Sequence, residues 1–249
     1  MSKACSMRAI VLAREAYREY DQRITVLTQE YGKQVYIAKG VKKITSKNSG
    51  ALEPCSVVDI HTIQGKESKY ATSVHLIEVF FVLRQDMHAL LCAQHIAQTM
   101  CRVLAVGEKD VRVYALFFDW LSAVNSGSLL LVHCVEYFYI SFLEVLGYSL
   151  QDIIAFGSAV SKGDTTWYYY SFADGRVYTK EVAPNQERGC VRVSGACIAA
   201  LQEASLGVSV KIRISVQQEV REFLHAALEY YTEKPQVHWH MIAHVGQSA

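Results

Sequence analysis

Four lysines, Lys39, Lys42, Lys43 and Lys47, stand in the stretch YIAKGVKKITSKNSGALEP (36–54), and no Asp or Glu occurs between Glu30 and Glu53. An ammonium group on a flexible stem meets a phosphate as a point charge and needs no fixed geometry. A pliant segment carrying several of them suits sequence-independent contact with a nucleic-acid backbone, because backbone charge holds no base information. Gly40, Ser46, Asn48, Ser49 and Gly50 supply the pliancy. Arg23 and Lys33 are candidate supplements, although Arg23 could equally form a surface ion pair with Asp21 or Glu19. Tyr36 either stacks a base or packs into a core. A run of lysines is also the ordinary make-up of a solvated loop, so the surrounding elements have to decide.

Other candidate chemistry is thinner. His238, His240 and His244 have metal-like spacing, since alternate residues of a strand share a face, but no carboxylate or cysteine completes the set. His133 and Cys134 are adjacent, and adjacent residues of a helix do not face each other, so they do not make a base and nucleophile. There is no G-x-x-x-x-G-K-[ST] phosphate loop and no convincing acid pair. No catalysis, no cofactor and no metal are expected.

The 249-residue chain has 25 Lys and Arg against 24 Asp and Glu, so it is not a generic polyanion binder. The charge is unevenly placed: residues 1–80 hold 12 basic and 8 acidic residues, and the rest hold 13 and 16. That asymmetry points to a binding face in the N-terminal part. Seven cysteines without a C-x-x-C pair argue for a reducing compartment. The start MSKACSMRAIVLAREAY lacks the apolar core of a signal peptide. The most apolar run, 128–148, is interrupted by His133, Glu136 and Glu144, which suits a buried helix rather than a membrane span. A cytoplasmic protein without membrane contact is expected.

The segments 7–13, 22–29, 33–39, 55–63 and 68–78 read as strands, with Val35 and Ile37 alternating against Gln34, Tyr36 and Ala38 in the third. QGKES joins the last two at hairpin length. Five strands with tight turns suggest a small closed barrel, which removes the exposed sheet edges. After residue 81 the period changes to three and four. Leu83, Met87, Leu90, Ala93, Ala97, Met100 and Leu104 form one stripe, and Tyr114, Phe117, Phe118, Leu121 and Val124 form a second. The segment 129–146 is apolar nearly all round, and Val220, Phe223, Leu224, Ala227, Leu228 and Tyr231 make a last stripe closed by Pro235. The expected fold class is α+β, or two packed domains: a small five-stranded barrel over 1–80, then a mainly helical domain over 81–249. Residues 149–195 read as an irregular insertion with strand-like pieces at 165–172 and a turn at 173–176.

RAIVLAREAYREYDQRITVLTQEYGK, AKGVKK, SK, GALEP and LRQDMHALLCAQHIAQTM, in that order, resemble the bacterial recombination-mediator family RecO, and FLEVLGY (142–148) continues the likeness in outline. The resemblance implies an N-terminal OB-fold and a helical C-terminal domain. It further implies binding to single- and double-stranded DNA, annealing of complementary strands, and work with RecR and the single-strand-binding protein SSB to load the recombinase RecA. On that reading the lysines lie between the third and fourth strands and track a phosphate backbone. An SSB-binding role would use an apolar groove between helices at 83–104 and 113–124, rimmed by Arg84, Arg102 or Arg112. Many members carry two C-x-x-C pairs as a zinc site; the matching positions here fall near Ile153, Phe156, Tyr178 and Glu181, so a zinc-less insertion filled by packing is expected. The basic C-terminal run of many members is reduced here to Lys234. The alternative is a protein-interaction adaptor that recruits repair partners with little DNA binding of its own.

Overall fold

Strands β1 (Ala4–Ala16), β2 (Gln22–Thr28), β3 (Gly32–Ala38), β4 (Val57–Gln64) and β5 (Lys69–Glu78) close into a barrel in the order β1-β2-β3-β5-β4. The computed structural model describes residues 4–43, 50–127, 134–161, 163–179, 189–206 and 214–235, and it divides into two compact units, 1–126 and 127–249. The first unit therefore runs past the change of sequence period and takes in three helices as well as the barrel.

Period-2 patterning builds the barrel core. Ala9, Val11, Ile24, Val26, Tyr36, Ala38, Val58 and Ile60 point inward from four strands. On β3 the inward set is Tyr36 and Ala38, the face opposite Val35 and Ile37, so the phenol fills the interior. Its hydroxyl donates to the Met7 sulfur at 3.5 Å, and burial raises its pKa. Antiparallel ladders join β1 to β2 and β4, β2 to β3, and β4 to β5. Closure rests on one short parallel pairing, Ile37 with Tyr70 and Ala38 with Ala71.

The helix expected over 83–104 is two helices, α1 (Phe81–Gln85) and α2 (Met87–Val103). Asp86 is extended, and its carboxylate accepts from the amides of His88 and Ala89, so it caps a new helix and resets the phase. The buried face of α2 is consequently Ala89, Cys92, Ala93, Ile96, Ala97 and Met100, while Met87 is exposed and Leu90 only half-buried. Helix α3 (Val111–Asn125) buries Tyr114, Phe117, Leu121 and Val124 as its spacing predicts, and Val113 and Trp120 besides. Asn125, the last residue of α3, accepts at Oδ1 from the amides of Val82 and Leu83, supplying α1 with a cap from the end of α3.

The second unit contains α4 (Cys134–Val145), α5 (Gln151–Gly157), β6 (Trp167–Ser171), β7 (Arg176–Tyr178), β8 (Cys190–Ser194), α6 (Gly195–Ser205) and α7 (Ile214–Thr232). The described residues between 149 and 195 form a short helix and an antiparallel sheet of order β7-β6-β8, more regular structure than the sequence suggests. Strands of three to five residues are too short to display a period. At the positions matching the zinc ligands, Ile153 is fully buried, Phe156 packs edge-on to Tyr168 at 5.2 Å, and the Tyr178 hydroxyl donates to Asp174 at 2.6 Å. Glu181 lies outside the described residues. Among the described residues no three His, Cys, Asp or Glu side chains are grouped to hold a metal ion, and no helix is long and apolar enough to cross a membrane.

Helix α4 is apolar nearly all round, with Val135, Phe138, Tyr139, Phe142 and Leu143 buried. Glu136 is buried with them, at 1% exposure, and its Oε1 accepts from Arg221 Nε of α7 at 2.7 Å and from Gln217 Nε2 at 3.3 Å. A buried pair of this kind offsets its own desolvation only when both partners are present. Glu136→Ala strips the carboxylate from a guanidinium held at 2% exposure, and a loss of about 3–5 kcal/mol is expected in chemical denaturation. Replacing both Glu136 and Arg221 by leucine should cost far less than that single change.

Candidate nucleic-acid interface

The lysine stretch leaves β3 and meets the turn that joins β1 to β2. Three hydrogen bonds stitch the two segments together. The Gly40 amide donates to Asp21 Oδ1 at 2.9 Å, the Lys42 amide donates to the Tyr20 carbonyl at 3.1 Å, and Lys42 Nζ reaches the Arg18 carbonyl at 3.3 Å. Gly40 takes φ +67°, a region that residues with a Cβ rarely adopt, and this turns the chain sharply after Lys39.

Around these stitches cations and tyrosine rings alternate. Lys39 Nζ lies 4.6 Å from the centre of the Tyr70 ring, and Lys43 Nζ 5.6 Å from that of Tyr20. The guanidinium groups of Arg18 and Arg23 stand over Tyr17 at 5.2 and 5.3 Å. Tyr17 is 37% and Tyr20 47% exposed, and Arg18, Arg23, Lys39, Lys42 and Lys43 are exposed as well. An exposed cation–ring contact is worth about 0.5–1 kcal/mol, so each cation is oriented but free to exchange its ring for a phosphate. Exposed rings beside mobile cations are the combination that holds single strands: the rings stack bases and the cations follow the backbone.

Of the residues singled out in the sequence, the structure brings Lys39, Lys42, Lys43 and Arg23 into this one cluster. Asp21, an expected ion-pair partner of Arg23, is used instead on the Gly40 amide. Lys47 lies outside the described residues, as do His133, His238, His240 and His244 and the side chain of Cys134. Lys33 does not join the cluster. It is only 7% exposed, its ammonium donates to the Cys101 carbonyl of α2 at 2.6 Å, and its own carbonyl accepts from Gly107 at 2.8 Å. It ties β3 to the end of α2, a structural task that its residue type does not advertise. Tyr36 is likewise withdrawn into the barrel core.

The three arginines proposed as a rim are variously occupied. Arg84 donates to the Pro54 carbonyl and to Ser56 Oγ, both at 2.9 Å, and so ties α1 to the segment before β4. Arg112 forks onto Asp110 at 3.1 and 2.7 Å, and that hydrogen bonding lowers the Asp110 pKa. Arg102 is half-buried in the last turn of α2. The thiols near these elements are quiet: burial pushes Cys55 up to about 12 and Cys101 up to about 11.

Sequence reasoning missed Tyr17, Arg18, Tyr20 and Tyr70. The signal for the first three was present in AYREY, a basic and aromatic turn only a few residues before Arg23. Tyr70 had no local signal, because it reaches Lys39 only through the β3–β5 pairing.

Comparison with known proteins follows the same outline. The model of the recombination protein O N-terminal domain matches residues 1–80, and that of the recombination protein O C-terminal domain matches residues 84–240. The DNA repair protein RecO of Desulforamulus reducens is 25% identical over 240 residues, 93% of this chain and 91% of that protein. That of Syntrophomonas wolfei is 28% identical over 225 residues, covering 87% of each chain. That of Geobacter metallireducens is 28% identical over 143 residues, a match spanning 57% of this chain and 58% of that protein. With both family models aligned in order along it, a five-stranded barrel under the first and mainly helical elements under the second, the chain belongs to the RecO family of DNA repair proteins.

Proposed function

We propose that this protein is a recombination mediator that binds single- and double-stranded DNA, anneals complementary strands, and helps load the recombinase onto SSB-coated DNA together with RecR. The observation that carries the DNA-binding part is the cation–tyrosine cluster at one end of the barrel, formed by Tyr17, Arg18, Tyr20, Arg23, Lys39, Lys42, Lys43 and Tyr70. Family membership supports the rest of the reading, since the relatives carry the name DNA repair protein RecO. The role is one of binding and positioning strands, and no catalytic residue is assigned.

A second reading, an adaptor that recruits repair partners, draws on a different observation. Phe81, Val82 and Met87 of α1 and α2 are exposed by 71%, 56% and 66%, an apolar group that a protein partner would cover. The salt dependence of DNA binding separates the two readings, because only phosphate neutralisation releases counterions in proportion to the cations engaged.

Fluorescence anisotropy of a labelled single strand across a salt series makes the test. Substituting Lys39, Lys42 and Lys43 by alanine should flatten the log–log salt slope by about 2, from roughly 0.7 per lost phosphate contact. No change in slope would remove the loop from the DNA site. Tyr20→Ala should leave the slope alone and weaken binding by about 1–3 kcal/mol, the signature of a lost stack. Asp21 gives a test with opposed signs. Removing a carboxylate from a cationic cluster strengthens DNA binding by electrostatics alone, yet Asp21→Ala is expected to weaken it several-fold because the Gly40 amide loses its anchor. Asp21→Asn keeps an acceptor oxygen and should bind at least as tightly as the native protein.

A further inference from the structure

The three-stranded sheet of the second unit has two unlike faces. Residues directly opposite in an antiparallel ladder share a face, and successive residues alternate. Tyr168 and Tyr170 of β6 stand opposite Val193 and Val191 of β8, and Val177 of β7 stands opposite Tyr170. Tyr170 and Val193 are buried, and the Tyr170 ring packs edge-on to Phe172 and Phe223, so this side faces the core.

On the other side Tyr169 lies opposite Arg192 and Tyr178, with Trp167 two residues back along β6 and Arg176 one pair beyond. Trp167 is 45% exposed, Arg176 and Arg192 are exposed, and Tyr169 and Tyr178 are half-buried. The Arg192 guanidinium lies 3.9 Å from the centre of the Trp167 ring. The three strands contain no Asp or Glu. Carboxylates border the strands rather than lie on them, Glu219 and Glu222 lining a cavity with Arg192, and hydrogen bonds hold each in place. Asp174, which also lies near Arg176, accepts from Tyr178 and Ser171; Glu219 accepts from the amide and hydroxyl of Ser194; and Glu222 accepts from Gln218.

We propose that this face is a second surface for single-stranded nucleic acid, with bases stacked on Trp167, Tyr169 and Tyr178 and phosphates met by Arg176 and Arg192. Alternate residues of a strand are spaced roughly 7 Å apart, so the sheet offers separate rings to separate unstacked bases. Every base has a π-face, and the surface is therefore indifferent to sequence. A duplex keeps its bases stacked on each other and presents no such face, so the surface selects unpaired strands. Trp, Tyr and Arg also serve protein interfaces, but two guanidinium groups on strands without a carboxylate complement a polyanion. This surface lies in the second unit and does not depend on the lysine loop of the first.

Tryptophan emission reads it directly. Of the three tryptophans, Trp120 is buried at 2% exposure and Trp167 is 45% exposed, and Trp239 is replaced by phenylalanine in every sample so that the change in emission reports Trp167. The full-length protein is titrated with a 30-nucleotide oligothymidylate while emission is followed, and anisotropy of the labelled strand reports occupancy. The strand should quench emission, and an equal length of duplex should not. Trp167→Phe should remove most of the quenching while keeping a ring to stack on, and Trp167→Ala should weaken strand binding on the order of ten-fold. Replacing the exposed Arg176 and Arg192 by alanine should flatten the salt slope by about 1.4. Circular dichroism melting confirms that each variant is folded. In the variant lacking Lys39, Lys42 and Lys43 the quenching should persist at saturation. If that variant binds like the native protein while Trp167→Phe abolishes quenching, this surface stands and the loop reading falls. Saturated anisotropy with unchanged native emission, or equal quenching in Trp167→Phe, overturns the proposal and assigns the face to a protein partner.

Discussion

Ile37 and Ala38 run parallel to Tyr70 and Ala71, and this short ladder closes the barrel. Every other strand pairing in it is antiparallel, and all but one of those join neighbours in sequence, so they form a curled sheet without it. Closure does more than satisfy two strand edges. It ends β3 beside β5, which puts Lys39 on the Tyr70 ring, and it directs the following residues across the β1–β2 turn, where Asp21 and Tyr20 catch them. The barrel interior makes this possible by taking Tyr36 and Ala38 inward at the same point of the strand. A loop of lysines attached to an open sheet would have no fixed aromatic neighbours.

Polar groups in this protein divide by whether they are held or left available. Lys33, Arg84, Glu136 and Arg221 are charged residues used as rivets: each is buried or half-buried, and each meets a hydrogen-bonding partner from another element. Lys39, Lys43, Arg18 and Arg23 touch only the faces of tyrosine rings in the contacts described above, and such contacts are cheap to exchange. The distinction matters for function, since a cation locked on a carbonyl has already been desolvated and paired, whereas one resting on a ring keeps most of its attraction for phosphate.

Much of the barrel was legible in advance. Strand period and turn residues located five strands within a few residues of their observed ends, because a half-buried strand must alternate. The stripe of α7 was also legible, as a long amphipathic helix repeats its signal over several turns. The expected stripe of α2 held at Ala93, Ala97 and Met100 and failed at Met87 and Leu90, in the first turn after Asp86 restarts the helix. The sheet β6–β8 was only partly visible, its strands being shorter than the window in which a period can be recognised.

By itself the sequence determined the five barrel strands, the plan of strands followed by helices, and the presence of a lysine-rich segment after the third strand. These are local properties: alternation, spacing and composition within a few tens of residues. Only the tertiary structure decided which charges are available, because availability depends on partners far away in the chain. Lys33 is spent on a carbonyl 68 residues distant, and Glu136 on a guanidinium 85 residues distant. Tyr17, Tyr20 and Tyr70 become part of the same surface as the lysines only when the barrel closes. The same holds for Trp167, Tyr169, Tyr178 and Arg192, whose shared face is set by strand register, a pairing between segments that no single stretch of sequence contains.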